Sequence, residues 1–467
     1  MSEKDVAPVD KMRSAGISVP SVAAFERAYR FLSSGERTDI PEDLIEPISD
    51  ISDYGGLSAP EAALVEPLLE KTVIIKLNGG LGTGMGLQQA KSLLEIRGDL
   101  TFLDLIARQI LAMRKRSGRT VRFLLMNSFS TSKDSLSLLS KYPDLGGSDG
   151  FEILQSRAPK IDAATLEAVS YPDNCQLEWC PPGHGDLYPA LISSGWLDRL
   201  LERGVIYAFI SNSDNLGATL DFKLLNTFAD SEMPFMMEVT SRSEADKKGG
   251  HIARLRNGGR LLLRELGQCP ESDIDAFQDV SRHRFFNTNN LWLRLDELKS
   301  RMEIAGGVLP LPVIVNRKTV DPRDLYSLPV IQLETAMGAA IECFEKAGVV
   351  AVPRSRFLPV KTCDDLFALR SDAYVMSEDW QLRLAPERNA PPPIVHLDKR
   401  HYKHIEHVEL ATSDGVPSLV KCERLEVNGQ VRFEVDTVFS GCVNVRNTGS
   451  QEAVLPSGFY ADETVVL

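Results

Sequence analysis

At 467 residues the chain is too long for one small module, and 43% apolar with 25% charged residues is ordinary globular usage, which excludes disorder as the main theme. Fifty-two Lys and Arg against 65 Asp and Glu leave a formal charge of −13 with no basic tract, so a nucleic-acid partner is not expected. Seven scattered cysteines without a Cys-x-x-Cys pair read as reduced thiols, and no apolar run nears the roughly 18 residues of a membrane span. A cytoplasmic protein without a membrane partner is expected.

Residues 1–70 predict a helical lead-in: Val22, Phe25, Tyr29 and Leu32 recur at helical spacing, Pro and Gly punctuate the stretch from Pro41 to Pro60, and a short apolar helix runs up to Glu70. From Lys71 the pattern becomes strand, loop, helix, with Val73 to Leu77, a glycine-dense loop, and Phe102 to Arg116. Val121 to Met126 and Val205 to Ile210 predict further strands, ending in Asn127-Ser128 and in Ser211-Asn212-Ser213-Asp214-Asn215. This alternation predicts an α/β fold with a mostly parallel sheet flanked by helices, and ligands in such sheets bind beyond the carboxyl ends of the strands. Helices are predicted from Leu220 to Ala229, Asp296 to Met302 and Glu334 to Lys346, and strands from Met236 to Thr240, Phe286 to Leu293 and Val349 to Val352, within a main domain over 71–385. After the stiff spacer of prolines 391–393, the pieces Val408 to Leu410, Leu425 to Val427, Val431 to Val435 and Val443 to Val445 predict a small all-β domain over 394–467.

Lys76-Leu77-Asn78-Gly79-Gly80-Leu81-Gly82-Thr83-Gly84-Met85-Gly86 places five glycines in eight residues directly after a strand. Glycines let the backbone approach a ligand, and their amides can cradle phosphate oxygens; a flexible turn is the plainer alternative. A dinucleotide fingerprint needs Gly at offsets 0, 2 and 5, but Met85 follows from Gly80 and Leu87 from Gly82. A P-loop needs Gly, four residues, then Gly-Lys-Ser/Thr; Gly79 reaches Gly84, but Met85 and Gly86 follow. The loop therefore suggests a nucleotide without suggesting a dehydrogenase or a P-loop ATPase.

Five blocks, KLNGGLGTGMG from Lys76, LMNSFSTSKD from Leu125, WCPPGHGDLY from Trp179, SNSDNLGATLD from Ser211 and RFLPVKTCDDL from Arg356, together resemble one family. It is that of the eukaryotic-type UTP:glucose-1-phosphate uridylyltransferases, or UDP-glucose pyrophosphorylases. KKGGHI from Lys247 and FNTNNLW from Phe286 support the resemblance, which covers about residues 71–375.

The resemblance implies a Rossmann-like nucleotidyltransferase domain with a mixed sheet and a C-terminal β-helix. It implies joining of UTP and glucose 1-phosphate into UDP-glucose and pyrophosphate, with Mg2+. By the same resemblance Lys91 and Lys361 reach the phosphates, and Asp214 serves Mg2+, whose sites combine one or two carboxylates with phosphates and water. Leu77, Asn78, Gly79, Gly80, Met126, Gln155 and Gly183 match nucleotide positions, Gln155 and Gly183 at the uracil. His184, Asn212, Glu238, Gly250, Asn287 and Asn289 match the sugar-phosphate side. A relative acting on galactose or N-acetylhexosamine 1-phosphate and a silent nucleotide-sugar sensor are the alternatives, the first disfavoured by Gly84-Met85 and the second by the joint presence of Lys91, Asp214 and Lys361. The oligomeric state stays open, the C-terminal β domain being the place for a homo-oligomer. His401, His404 and His407, three apart, read as a polar face.

Overall fold

The computed structural model describes residues 7–36, 39–147 and 150–467, so the first six residues of the expected helical lead-in lie outside it. Val19–Ser34 (α1) starts where the Ser18 hydroxyl accepts the Ser21 amide and stops at left-handed Gly35, burying Val22, Phe25, Ala28 and Tyr29 along one stripe. The Pro/Gly stretch that follows is more than connective. Ile45–Pro47 (β1) and Ser52–Asp53 (β2) are extended and pair with strands of the main domain.

Nine further strands complete one 11-stranded sheet: Thr72–Asn78 (β3), Arg122–Asn127 (β4), Glu152–Leu154 (β5), Tyr207–Asn212 (β6), Phe235–Ser241 (β7), His251–Leu255 (β8), Leu261–Arg264 (β9), Phe285–Arg294 (β10) and Gly348–Ala351 (β11). Its main path is β2-β11-β7-β10-β6-β3-β4-β5, with β1, β8 and β9 set to one side. From β6 to β5 the strands run parallel, but β10 is antiparallel to both β6 and β7. The sheet is therefore mixed, not mostly parallel.

Every residue of β3 is buried, as befits a central strand covered on both faces. Ile74 joins one apolar cluster with Phe102–Ser117 (α2), Phe222–Asp230 (α3) and Cys363–Arg370 (α4), while Val73, Ile75 and Leu77 join another on the opposite face. Fully burying such a side chain contributes about 1.5–3 kcal/mol, so two-sided coverage fixes where the strand ends point.

Two expected elements differ. In place of a helix from Glu334 to Lys346 there is a strand, Pro329–Thr335, paired with Val313–Thr319, and then a 3-10 segment, Met337–Cys343. Met337, Gly338, Ala339, Ala340, Ile341 and Cys343 are all buried, so no polar stripe remains to define an amphipathic helix. Ile405–Ala411 is a helix where Val408 to Leu410 was expected as a strand; its buried residues, Ile405, Val408 and Ala411, are three apart. Beyond it Ser418–Asn428, Thr437–Arg446 and Gly458–Ala461 pair in parallel, as do Val431–Phe433 and Ala453–Leu455.

Candidate active site

The carboxyl ends of β6, β3 and β4 lie side by side, with Asn212 opposite Leu77 and Asn78 opposite Asn127. Buried Asn78 donates to Asn127 Oδ1 (2.7 Å) and Ser135 Oγ (2.8 Å) and accepts from Ser213 Oγ (3.0 Å). Its side chain thus ties the strand ends together. Beneath the loop, buried Lys76 donates to Ser211 Oγ (2.8 Å) and the Ala218 carbonyl (2.6 Å); burial, then Arg356, pull its pKa down to about 7. Leu77 and Met126 put their side chains in the core below, so their part on the nucleotide side is to support it.

The glycine loop is tied back by its carbonyls. Thr131 Oγ1 donates to the Asn78 carbonyl (2.7 Å) and Ser128 Oγ to that of Gly79 (3.0 Å), while the Lys91 amide donates to Gly80 (3.1 Å). Gly82 is left-handed (φ 66°), and a β-carbon there would sit 2.6 Å from Leu87 Cδ1, so a side chain would strain the backbone and displace Leu87.

Gln155 brings Gly79 and Gly183 together. Its Nε2 donates to the Gly183 carbonyl (2.8 Å), and a β-carbon on Gly79 would lie 2.7 Å from its Oε1. Gly183 has φ 81°, and a β-carbon there would meet the Thr335 carbonyl oxygen at 2.5 Å. The next residue, His184, accepts the Met337 amide on Nδ1 (2.9 Å), which puts its proton on Nε2, and burial pushes its pKa down to about 4. It is a neutral donor. Below it Asp186 accepts the Ser156 amide (2.7 Å) and hydroxyl (2.9 Å), and burial pushes its carboxyl up to about 7.

Lys91, Asp214 and the Lys361 segment converge on this rim. Lys91 Nζ reaches Asp214 Oδ2 at 2.7 Å, the Asp214 carbonyl accepts the Val360 amide (3.2 Å), and Asn215 bridges to Pro359. The Lys361 amide donates to Asp365 Oδ2 (2.8 Å) within the capping box that starts α4, leaving the exposed ammonium 5.8 Å from the Phe357 ring centre. Among the described residues no group of three His, Cys, Asp or Glu could hold a metal. Asp214, with Lys91 on one oxygen, is the carboxylate at this rim; a single carboxylate suits Mg2+ that keeps its waters and phosphate ligands.

On the other side of β10, Asn287 and Asn289 hold each other: Asn287 Nδ2 donates to Asn289 Oδ1 and the Asn289 amide returns to Asn287 Oδ1, both at 2.7 Å, around left-handed Asn289 (φ 59°). The Asn287 amide donates to the Gly250 carbonyl (3.2 Å), and a β-carbon on Gly250 would lie 2.5 Å from Glu265 Oε2. Burial pushes the Glu265 carboxyl above its ordinary value against the pull of Lys361. Glu265 was missed because a single acid at a strand end carries no motif; its spacing of three to Gln268, a capping pair here, was the available signal.

Glu238 does not join that side. It has no exposure, and its oxygens take Arg356 Nε and Nη2 (both 2.7 Å), Trp292 Nε1 (2.9 Å) and Asn290 Nδ2 (3.0 Å). A carboxylate so occupied has no oxygen left for a sugar hydroxyl. Asn212, by contrast, ends β6 partly exposed beside Leu77. His404 stacks with His407 (6.2 Å) and packs on the glycine loop, 3.1 Å from where a Gly86 β-carbon would be.

The glycine loop, Lys91 and Asp214 lie side by side, with the Lys361 segment joined to Asp214 through the Val360 amide. The family model described as UTP–glucose-1-phosphate uridylyltransferase matches residues 22–439. The chain belongs to this family. A UTP–glucose-1-phosphate uridylyltransferase from Hordeum vulgare is 37% identical over 463 residues, covering 96% of this chain and 95% of that protein. The Saccharomyces cerevisiae uridylyltransferase is 39% identical over 402 residues, 85% of this chain and 78% of its own. Among solved structures, the UDP-glucose pyrophosphorylase from Leishmania major, known in open and closed forms, is 45% identical with a TM-score of 0.94, each chain wholly covered. The UDP-glucose phosphorylase of Trypanosoma brucei is 46% identical with a TM-score of 0.92, again over the whole of both. The family match thus extends on both sides of the blocks first read between residues 71 and 375, and membership makes the chain a nucleotidyltransferase.

Proposed function

We propose that this uridylyltransferase joins UTP and glucose 1-phosphate by a direct in-line displacement in the cleft between the glycine loop and the Lys361 segment. The observation that carries this is the Lys91–Asp214 pair, held by the Asp214 carbonyl to Val360, next to Lys361. A sugar-phosphate oxygen forms a bond to the α-phosphorus of UTP as the bond to the bridging oxygen of pyrophosphate breaks. The attacking phosphate has a second pKa of about 6 and is largely ionised at pH 7, so no general base is required. The chain's task is to align two polyanions and offset their repulsion.

Lys91 and Lys361 face the triphosphate from its two sides, and the Gly79–Gly80 backbone supports it. Gln155 and Gly183 meet the uracil, the amide offering both a donor and an acceptor. His184 donates its Nε2 proton to the sugar phosphate while staying uncharged. Gly250, Asn287, Asn289 and Asn212 take the sugar side, joined by Glu265. Asp214 would hold Mg2+, which when bound would supply further neutralisation of the triphosphate. The stacked parallel strands beyond residue 394 support reading the C-terminal module as a β-helix.

The test is pyrophosphate release from UTP by the purified protein with Mg2+, across a panel of sugar 1-phosphates and nucleoside triphosphates. Release that requires UTP and glucose 1-phosphate together is the expected result. Binding without release would point to a sensor, and faster release with galactose or N-acetylhexosamine 1-phosphate would reassign the sugar.

A further inference from the structure

The segment from Ile40 to Pro47 is fastened at one end to the 3-10 turn that follows β9 and at the other to β8. The Ile40 amide donates to the Gln268 carbonyl (2.7 Å), and β1 pairs antiparallel with β8, Ile45 opposite Leu255. Between these fastenings sits Glu42. Its amide donates to Asp273 Oδ2 (2.7 Å), and its carboxylate receives Arg264 Nη1 (2.6 Å), Arg282 Nη2 (2.7 Å) and His283 Nε2 (2.9 Å). The side chains of Arg264 and His283 have no exposure. His283 stacks on His251 at 3.8 Å, and burial holds both rings below the ordinary imidazole range, so neither adds charge. Glu42 is therefore the near countercharge of a fully buried guanidinium, Asp273 standing farther off at 3.5 Å. An ion buried so completely needs such a partner.

Arg264 ends β9 opposite His251, which begins β8. The residues directly beyond them are Gly250 and Glu265, in contact with each other and, through the Gly250 carbonyl, with Asn287. Successive side chains of a strand point to opposite faces, so locking Arg264 on one face sets the direction of Glu265 on the other.

We propose that Glu42 is a positioning residue for glucose 1-phosphate: by pinning Arg264 it holds the β8–β9 hairpin at the height that presents Gly250 and Glu265 to the sugar. This rests on the sugar-side reading of those two residues given above. The N-terminal segment thereby takes part in substrate selection from behind the sheet, without touching substrate.

The test is steady-state kinetics of full-length Glu42→Gln, varying each substrate separately, beside thermal melts. The KM for glucose 1-phosphate rises about fivefold or more while the KM for UTP stays within about twofold; mere loss of folded protein would lower apparent kcat and leave both KM values alone. An unchanged glucose 1-phosphate KM, or equal rises in both, overturns the assignment. Glu265→Gln is measured in parallel. If it raises that KM and Glu42→Gln does not, the role of Glu42 alone is refuted; if neither does, the sugar-side reading falls and the Glu42 role with it. Should Glu42→Gln yield no folded protein, Glu42→Asp, which keeps the charge and shortens the reach to Arg264, raises the same KM about fivefold with the KM for UTP within about twofold, and no change there overturns the proposal.

Discussion

Asp214 does two things that a substitution can separate. Its carboxylate holds Lys91 and its carbonyl holds Val360, so Asp214→Asn removes charge and keeps the backbone link. The expected outcome is a fall in kcat of about 10²–10³-fold with a weakened Mg2+ titration and a thermal midpoint within a few degrees of wild type; an unchanged metal titration would contradict the role. His184 and Asp186, two residues apart, give stability opposite dependences on pH. Unfolded, His184 titrates near 6.5 but folded near 4, so the unfolded state binds more protons between these values and stability falls as pH drops through that window. Asp186 moves from 3.8 up to about 7, so the folded state holds the extra proton and stability falls as pH rises through 7. Because the two effects oppose each other between about pH 4 and 6.5, Asp186→Asn is expected to leave the His184 effect alone and make the thermal midpoint rise more steeply with pH from about 4 to 7; an unaltered slope would show Asp186 already ionised. At this scale the literal blocks singled out Lys91, Asp214, Gln155 and Gly183, which the structure pairs as Lys91 with Asp214 and Gln155 with Gly183. They misplaced Glu238, because a carboxylate inside a strand looks the same in sequence whether it meets a ligand or a buried arginine.

Among elements, that arginine matters most. Arg356 joins the turn before Lys361 to β7 through Glu238, and its carbonyl accepts Asn215 Nδ2 (3.1 Å) next to Asp214. Breaking a buried pair by removing one charge costs about 3–5 kcal/mol. Glu238→Gln should therefore lose stability of that order in urea unfolding while the remaining folded enzyme keeps its glucose 1-phosphate KM; a raised KM with full stability would return Glu238 to the sugar side. β3 and β4 were legible as compact apolar runs that end in polar residues, and α2 from apolar residues at helical spacing. The segment after Thr335 was not, since burial on every side erases periodicity. Nor were β1 and β2, which are only three and two residues long and are extended because partner strands receive them.

For the molecule as a whole, the sheet gathers segments far apart in sequence around one cleft. Ordered motifs marked the glycine loop and the strand ends around it, whereas the packing of residues 40–47 and of His404 depends on contacts that no local pattern encodes. No helix among the described residues is long and apolar enough to cross a membrane. The central claim is that two ammonium groups from opposite sides of this cleft hold the reacting phosphates in line. Its most direct test is the rate of pyrophosphate release by Lys361→Ala at saturating UTP and glucose 1-phosphate, because Lys361 is exposed and its loss leaves the capping box of α4 intact. The account predicts a fall in kcat of at least about 10²-fold with an unchanged thermal midpoint; a near-normal rate would contradict it.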